Sequence, residues 1–151
     1  MPKMSDRNFG VPSVGPQNKL ERQIADFLVS QFPDVAAVYL YGSRANGTVL
    51  EDSDWDLALL FAPRRSPEAD TIFEVQVELS AELRAEVDVV VLSLEQLVLA
   101  KEVWEKGRIL LDKQPLVRQT YEMNLLSAYA EYREDLQPVI AAYSFSESVH
   151  G

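Results

Sequence analysis

Apolar residues along this chain are grouped in two ways, as short unbroken runs and as positions three and four apart. The runs are Val38 to Tyr41, Leu57 to Phe61, Val87 to Leu92 (interrupted by Asp88) and, short and opened by a basic residue, Arg108 to Leu111. Each is bounded by turn or polar residues and is short enough to read as a buried strand. The spaced positions are Leu20, Ile24, Phe27 and Leu28, then Ile72, Val75, Leu79 and Leu83, then Tyr121, Leu125, Tyr129, Tyr132 and Leu136. These are helical stripes. Boundary residues agree. Asn18-x-x-Glu21 is a capping-box pattern before the first helix, which Pro33 ends. Ser66-Pro67 predicts the start of a helix over about 67–85, and Ser93-x-x-Gln96 that of one reaching about Lys106, where Gly107 stops it. A long helix is expected from about Pro115, to be kinked or ended by Pro138. The order helix-strand-strand-helix-strand-helix-strand-helix predicts an α/β fold, a mixed sheet of about four strands with flanking helices. Joining the second and third strands through a helix makes them parallel neighbours. Residues 1–17 hold three prolines and two glycines without periodicity and read as a leader; 18–143 read as the domain and 144–151 as a tail.

The polar residues that interrupt this pattern carry the chemistry. Asp54-Trp55-Asp56 opens the second strand, and alternation sends the two carboxylates to one face and Trp55 to the other. Adjacent carboxylates repel and lose hydration, so a strand bearing them needs a counter-charge. Mg²⁺ supplies one, since it takes oxygen ligands and binds through one or two carboxylates together with substrate phosphates. Gly42-Ser43, at the end of the first strand, offers close backbone approach, a hydroxyl and an N–H at a short helical turn expected over 44–46. If the first two strands are antiparallel, that corner meets the carboxylate pair at one rim. A third acid, Asp88, sits in an otherwise β-branched run, where a buried carboxylate is costly without a partner.

Gly42-Ser43, ten residues, Asp54-x-Asp56, and Asp88 on a later strand together resemble the DNA polymerase β nucleotidyltransferase superfamily. The short chain is most similar to its minimal members, the MNT antitoxins paired with HEPN-domain toxins, over roughly residues 18–112. The resemblance implies a polymerase β-like fold and an enzyme that uses ATP. Asp54, Asp56 and Asp88 would hold two Mg²⁺ ions, and Gly42 and Ser43 the β- and γ-phosphates. For Arg44, a phosphate contact and a surface ion pair stand as equal readings. The implied reaction is transfer of AMP to a tyrosine of a HEPN ribonuclease toxin, which would neutralise it. Two other readings stand beside it, an idle binding antitoxin that acts by contact and a small-molecule (antibiotic) nucleotidyltransferase. The latter usually needs a further drug-binding domain, and the sequence shows neither a second domain nor internal repeats.

Composition narrows the partners. Twenty-four acids against 14 bases give a formal net charge of −10, the wrong sign for a protein that grips nucleic acid unaided. A basic protein surface is the better partner. Asp70, Glu74, Glu78, Glu82 and Glu86 step along one side of the second helix. That row is either a solvated face or a docking stripe for such a surface. No apolar run approaches the ~20 residues of a membrane span, and the N-terminus lacks a secretory h-region. A cytoplasmic protein without membrane contact is therefore expected. The chain has no cysteine, which excludes thiol chemistry, and its one histidine, His150, reads as tail.

Overall fold

The computed structural model describes residues 14–45 and 54–150, with side chains as far as residue 143. Its elements are α1 (Lys19–Gln31), β1 (Val35–Tyr41), a 3₁₀ turn (Gly42–Arg44), β2 (Trp55–Phe61), α2 (Ala69–Leu83), β3 (Val87–Val91), α3 (Leu97–Lys106), β4 (Arg108–Asp112) and α4 (Pro115–His150). The expected alternation of helix and strand holds throughout. The sheet order is β3-β2-β1-β4. β1 is antiparallel to both neighbours, and β2 and β3 are parallel.

Both faces of the sheet are covered, which is why the strands read as unbroken apolar runs. On one face Val38, Leu40, Trp55, Leu57, Leu59 and Val89 pack against Ile24 and Leu28 of α1 and Ile72, Val75 and Leu79 of α2. On the other, Ala37, Tyr39, Ala58, Leu60 and Ile109 pack against Ala100 and Val103 of α3 and Leu125 of α4. The expected α4 stripe is the packed one, with Leu125 buried and Tyr121, Tyr129, Tyr132 and Leu136 half-buried.

Two polar clusters tie the helices to the sheet. Asn18 caps α1 by accepting from the Glu21 N–H at 2.9 Å. Glu21 in turn accepts from the Gln17 N–H at 3.0 Å and pairs with Arg108 of β4. At 4% exposure Glu21 is the one buried charged residue among those described, so α1 and β4 share a desolvated ion pair. On the other side, the buried Tyr39 hydroxyl donates to Glu122 at 2.7 Å. Arg118 donates to Glu122 at 2.9 Å and pairs with Asp112 at 3.0 Å. That chain anchors the start of α4 to β1 and β4.

Several local expectations are corrected. α2 starts at Ala69 with Glu68 at its N-cap, so Ser66-Pro67 belongs to the preceding loop and not to the first turn. α3 starts at Leu97; Ser93 instead accepts from the Glu95 N–H, closing a turn before the helix. Leu20, expected on the apolar face of α1, is 47% exposed, and Ala25 is buried there. The helical turn after the first strand begins at Gly42 rather than Arg44, and Asn46 lies outside the described residues. Pro138 does not end α4, which continues to His150. Most of the leader expected over 1–17 lies outside the described residues; its last part is anchored where the Gly15 N–H bonds the Ile109 carbonyl at 2.9 Å.

Candidate active site

The candidate residues converge at one rim because of strand register. In the antiparallel β1/β2 pair, Tyr41 faces Asp56. In the parallel β2/β3 pair, Asp56 faces Asp88. Both acids occupy positions of the face covered by α3 and α4, at the N-terminal ends of β2 and β3. Trp55 points to the opposite face and is buried there, as alternation requires. Asp54 lies just before β2 and is exposed.

Gly42 closes the rim from the β1 side. Its φ is +74°, a left-handed conformation that side chains rarely adopt, and a Cβ added there would lie 2.2 Å from Asp56 Oδ2. The glycine is thus required twice, for its backbone angle and for the space that the Asp56 carboxylate fills. Ser43 follows inside the 3₁₀ turn, half-buried. Arg44 lays its guanidinium over the Trp55 ring, 4.1 Å from the centroid, a cation–π contact that orients it at the edge of the motif.

The electrostatics mark the acids as a group. Burial, the charges of Asp88 and Asp54, and that of Glu102 hold the Asp56 carboxyl above the usual carboxylate range. The Tyr41 hydroxyl is pushed up to about 12, first by burial and then by Asp56, Asp88 and Glu102. Asp88 is exposed, which corrects the expectation of a buried acid; its neighbours Val87 and Val89 are buried on the opposite face of the strand. Among the described residues no three His, Cys, Asp or Glu side chains stand close enough together to hold a metal ion as they are placed. The donor set itself, hard carboxylate oxygens beside a glycine turn, fits Mg²⁺.

Sequence reasoning missed two residues of this rim. Tyr41 immediately precedes Gly42-Ser43, and pairing the two strands in register would have placed it against Asp56. Glu102, on α3, lies far along the chain from Asp56, and no local pattern announces it.

A sheet whose parallel strands present acids beside a Gly-Ser turn is the arrangement of a nucleotidyltransferase. The chain belongs to the polymerase beta nucleotidyltransferase family, whose pattern it matches over residues 22–116. It is similar to the protein adenylyltransferase MntA of Shewanella oneidensis, with 28% identity over 120 residues, covering 80% of this chain and 84% of that protein. In three dimensions it is similar to a chain of a toxin–antitoxin crystal structure with AMP-PNP, at a TM-score of 0.70 and 26% identity, over 82% of this chain and 98% of that one. It shares its fold with a chain of the complex of tri-AMPylated Shewanella oneidensis HEPN toxin with MNT antitoxin. There the TM-score is 0.67 at 23% identity, over 82% and 95% of the two chains. No described helix is long and apolar enough to cross a membrane.

Proposed function

We propose that this chain is an antitoxin that transfers AMP from ATP to a tyrosine of a HEPN-domain ribonuclease toxin and thereby silences it, in the cytoplasm where ATP is supplied. The observation that carries this reading is the alignment of Asp56 with Asp88 across β2 and β3, with the Asp56 carboxylate seated against Gly42. Similarity to a protein adenylyltransferase and to a toxin–antitoxin chain crystallised with an ATP analogue supports the substrate and the partner class.

Each residue has a chemical task. Gly42 lets a phosphate approach the backbone, and Ser43 offers a hydroxyl and an N–H to the β- and γ-phosphates. Arg44, whose guanidinium lies over Trp55, would meet phosphate charge. Asp54 and Asp56 would hold one Mg²⁺, and Asp88 would complete the set for a second; such ions would supply charge neutralisation at the phosphates and a lowered pKa at an acceptor hydroxyl. The toxin's tyrosine oxygen attacks the α-phosphorus, the bond from that phosphorus to the bridging oxygen breaks, and pyrophosphate leaves with the electron pair. The phenolic proton passes to solvent or to a rim carboxylate. A tyrosine suits this rim because its hydroxyl, with a pKa of about 10, ionises far more readily than an aliphatic alcohol.

The test is direct. Incubating the chain with Mg²⁺-ATP and a HEPN partner should add one or more AMP units to a partner tyrosine, release matching pyrophosphate and lower ribonuclease activity. Leaving out Mg²⁺ should prevent all three. Silencing without a mass change, equally by the Asp56→Asn protein, would replace this reading with neutralisation by contact.

A further inference from the structure

The outer side of α2 carries two parallel rows that the chemistry of transfer does not use. One is acidic. Asp70, Glu74, Glu78 and Glu82 follow one another at four-residue intervals, and Glu86 continues the row just before β3; all are exposed. The other is apolar. Phe73 and Val77 are 62% and 51% exposed, and the exposed Ala81 lies one turn further on. At 1.5 Å per residue the apolar row is about 12 Å long and the helical part of the acidic row about 18 Å.

Each row is unfavourable as it stands, and one occupant would relieve both. Acids four residues apart on a helix repel. Glu82 also lies at the C-terminal end of α2, where the helix dipole disfavours it and no basic residue of the last turn offsets it. Among the described residues no acid of the row is in an ion pair; Glu82 accepts only an amide hydrogen bond from Gln23, at 3.3 Å. An apolar surface edged with Lys or Arg satisfies the two rows together. A second copy of this chain would set acid against acid, and nucleic acid carries the same sign as the row. The neighbouring edge of β3 rules out an added strand. Its Val87 N–H donates to Ser80 Oγ at 3.2 Å and its Val89 N–H to Gln76 Oε1 at 2.8 Å, so α2 has already closed that edge. What remains is side-chain docking along a helix, with anchors at i and i+4.

The rows also lead to the rim. Because β2 and β3 are parallel, α2 runs back toward the end of the sheet where the acids stand. The Trp55 N–H bonds the Glu86 carbonyl at 2.9 Å, which ties the end of the acidic row to the residue between Asp54 and Asp56. We infer that this face of α2 is the docking site for the protein substrate, engaged by a helix that sets an apolar row beside a row of Lys and Arg, and that it holds the substrate with its acceptor tyrosine within reach of Asp56 and Asp88. The choice of a HEPN-domain protein as that substrate rests on the function proposed above.

Two measurements on the full-length chain test it, binding of a HEPN-domain partner without ATP, and transfer with Mg²⁺-ATP at varied partner concentration. Phe73→Ala combined with Val77→Ala should weaken binding about tenfold or more, as loss of an interface anchor does. KM for the partner should rise in proportion while kcat stays within about twofold. Glu74→Lys combined with Glu78→Lys should weaken binding most at low salt and flatten its salt dependence. All four positions are exposed, so both variants should keep the Tm of the parent. Variants that bind the partner as the parent does overturn the inference, whether or not AMP is transferred. Lost binding supports it even where no AMP is transferred, in which case the proposed reaction alone fails. It is also overturned if the parent does not bind the partner. So too if the chain alone sediments as a dimer that Phe73→Ala with Val77→Ala dissociates, since a second copy would then cover this face.

Discussion

Replacing Gly42 with alanine should separate the chemistry of the rim from the stability of the fold. Two effects act at this position. Holding a non-glycine residue at φ +74° costs roughly 1–2 kcal/mol. The new methyl carbon would also begin 2.2 Å from Asp56 Oδ2, far inside the ~3.5 Å at which non-bonded heavy atoms sit comfortably. That atom is the end of a side chain on the rim, so the clash is relieved by swinging the carboxylate away by about 1 Å rather than by unfolding. Stability should therefore fall by only about 1–2 kcal/mol, or roughly 2–8 °C in Tm for a chain of this size. Transfer should suffer far more, since misplacing a reacting or metal-holding group by about 1 Å costs on the order of 10²-fold. Gly15 supplies the control. Its φ is +112° and nothing lies within 4 Å of an added Cβ, so Gly15→Ala should cost comparable stability and leave transfer unchanged. Urea denaturation and pyrophosphate release, measured on both variants, decide the matter. If Gly42→Ala transfers AMP within twofold of the parent, or if Gly15→Ala loses transfer equally, the argument that Gly42 exists to seat Asp56 is wrong.

Asp54→Asn, Asp56→Asn and Asp88→Asn should each abolish transfer at saturating Mg²⁺ without loss of the folded state, because relieving mutual repulsion at the rim does not destabilise it. Mg²⁺-ATP should raise the Tm of the parent chain and not that of Asp56→Asn, as binding to the folded state requires; a thermal-shift titration reads both. Glu21→Gln should destabilise the fold by up to about 3–5 kcal/mol, since it leaves the mostly covered Arg108 guanidinium without its counter-charge. Adding Arg108→Met should restore part of that loss, and a denaturation cycle over the four proteins checks it. Replacing Glu74, Glu78 and Glu82 together by Gln should slow association with a HEPN partner at low salt, with the difference shrinking as salt rises. Unchanged low-salt kinetics would make that row a solvated face.

The parts of this molecule that repeat along the chain were readable from it, and the parts made by distant contacts were not. Val38 to Tyr41 and Leu57 to Phe61 declared themselves as strands because both faces of the sheet are buried, and Asp54-x-Asp56 stood out against that background. The starts of α1 and α4 fell where expected, whereas those of α2 and α3 were missed by two and three residues. Ser66-Pro67 and Ser93-x-x-Gln96 have capping chemistry, but the chain spends it on loops that return from the sheet, and α2 and α3 begin only where their apolar stripes reach the core. Glu21 was legible as part of a capping box, yet its pairing with Arg108, 87 residues away, was not. Pro138 reads as a helix breaker by local rules, and α4 nevertheless runs through it. Glu102 belongs to the same class, since it joins the rim only once α3 is laid on the sheet.

The alignment of Asp56 with Asp88 also determines which changes of length the family can tolerate. Because successive residues on a strand face opposite ways, adding or deleting one residue inside β3 ahead of Asp88 would turn that carboxylate into the layer of Val87 and Val89, leaving Asp56 opposite a hydrocarbon. The loop and helix between Ala62 and Glu86 have no such constraint; residues can be gained or lost there and the strands still meet in step. Drift in this lineage should therefore accumulate as indels in the connections, while the spacing inside the two strands stays fixed even where the amino acids themselves change. Counting residues within strands is then a better guide to whether a distant relative keeps the chemistry than its overall percentage identity.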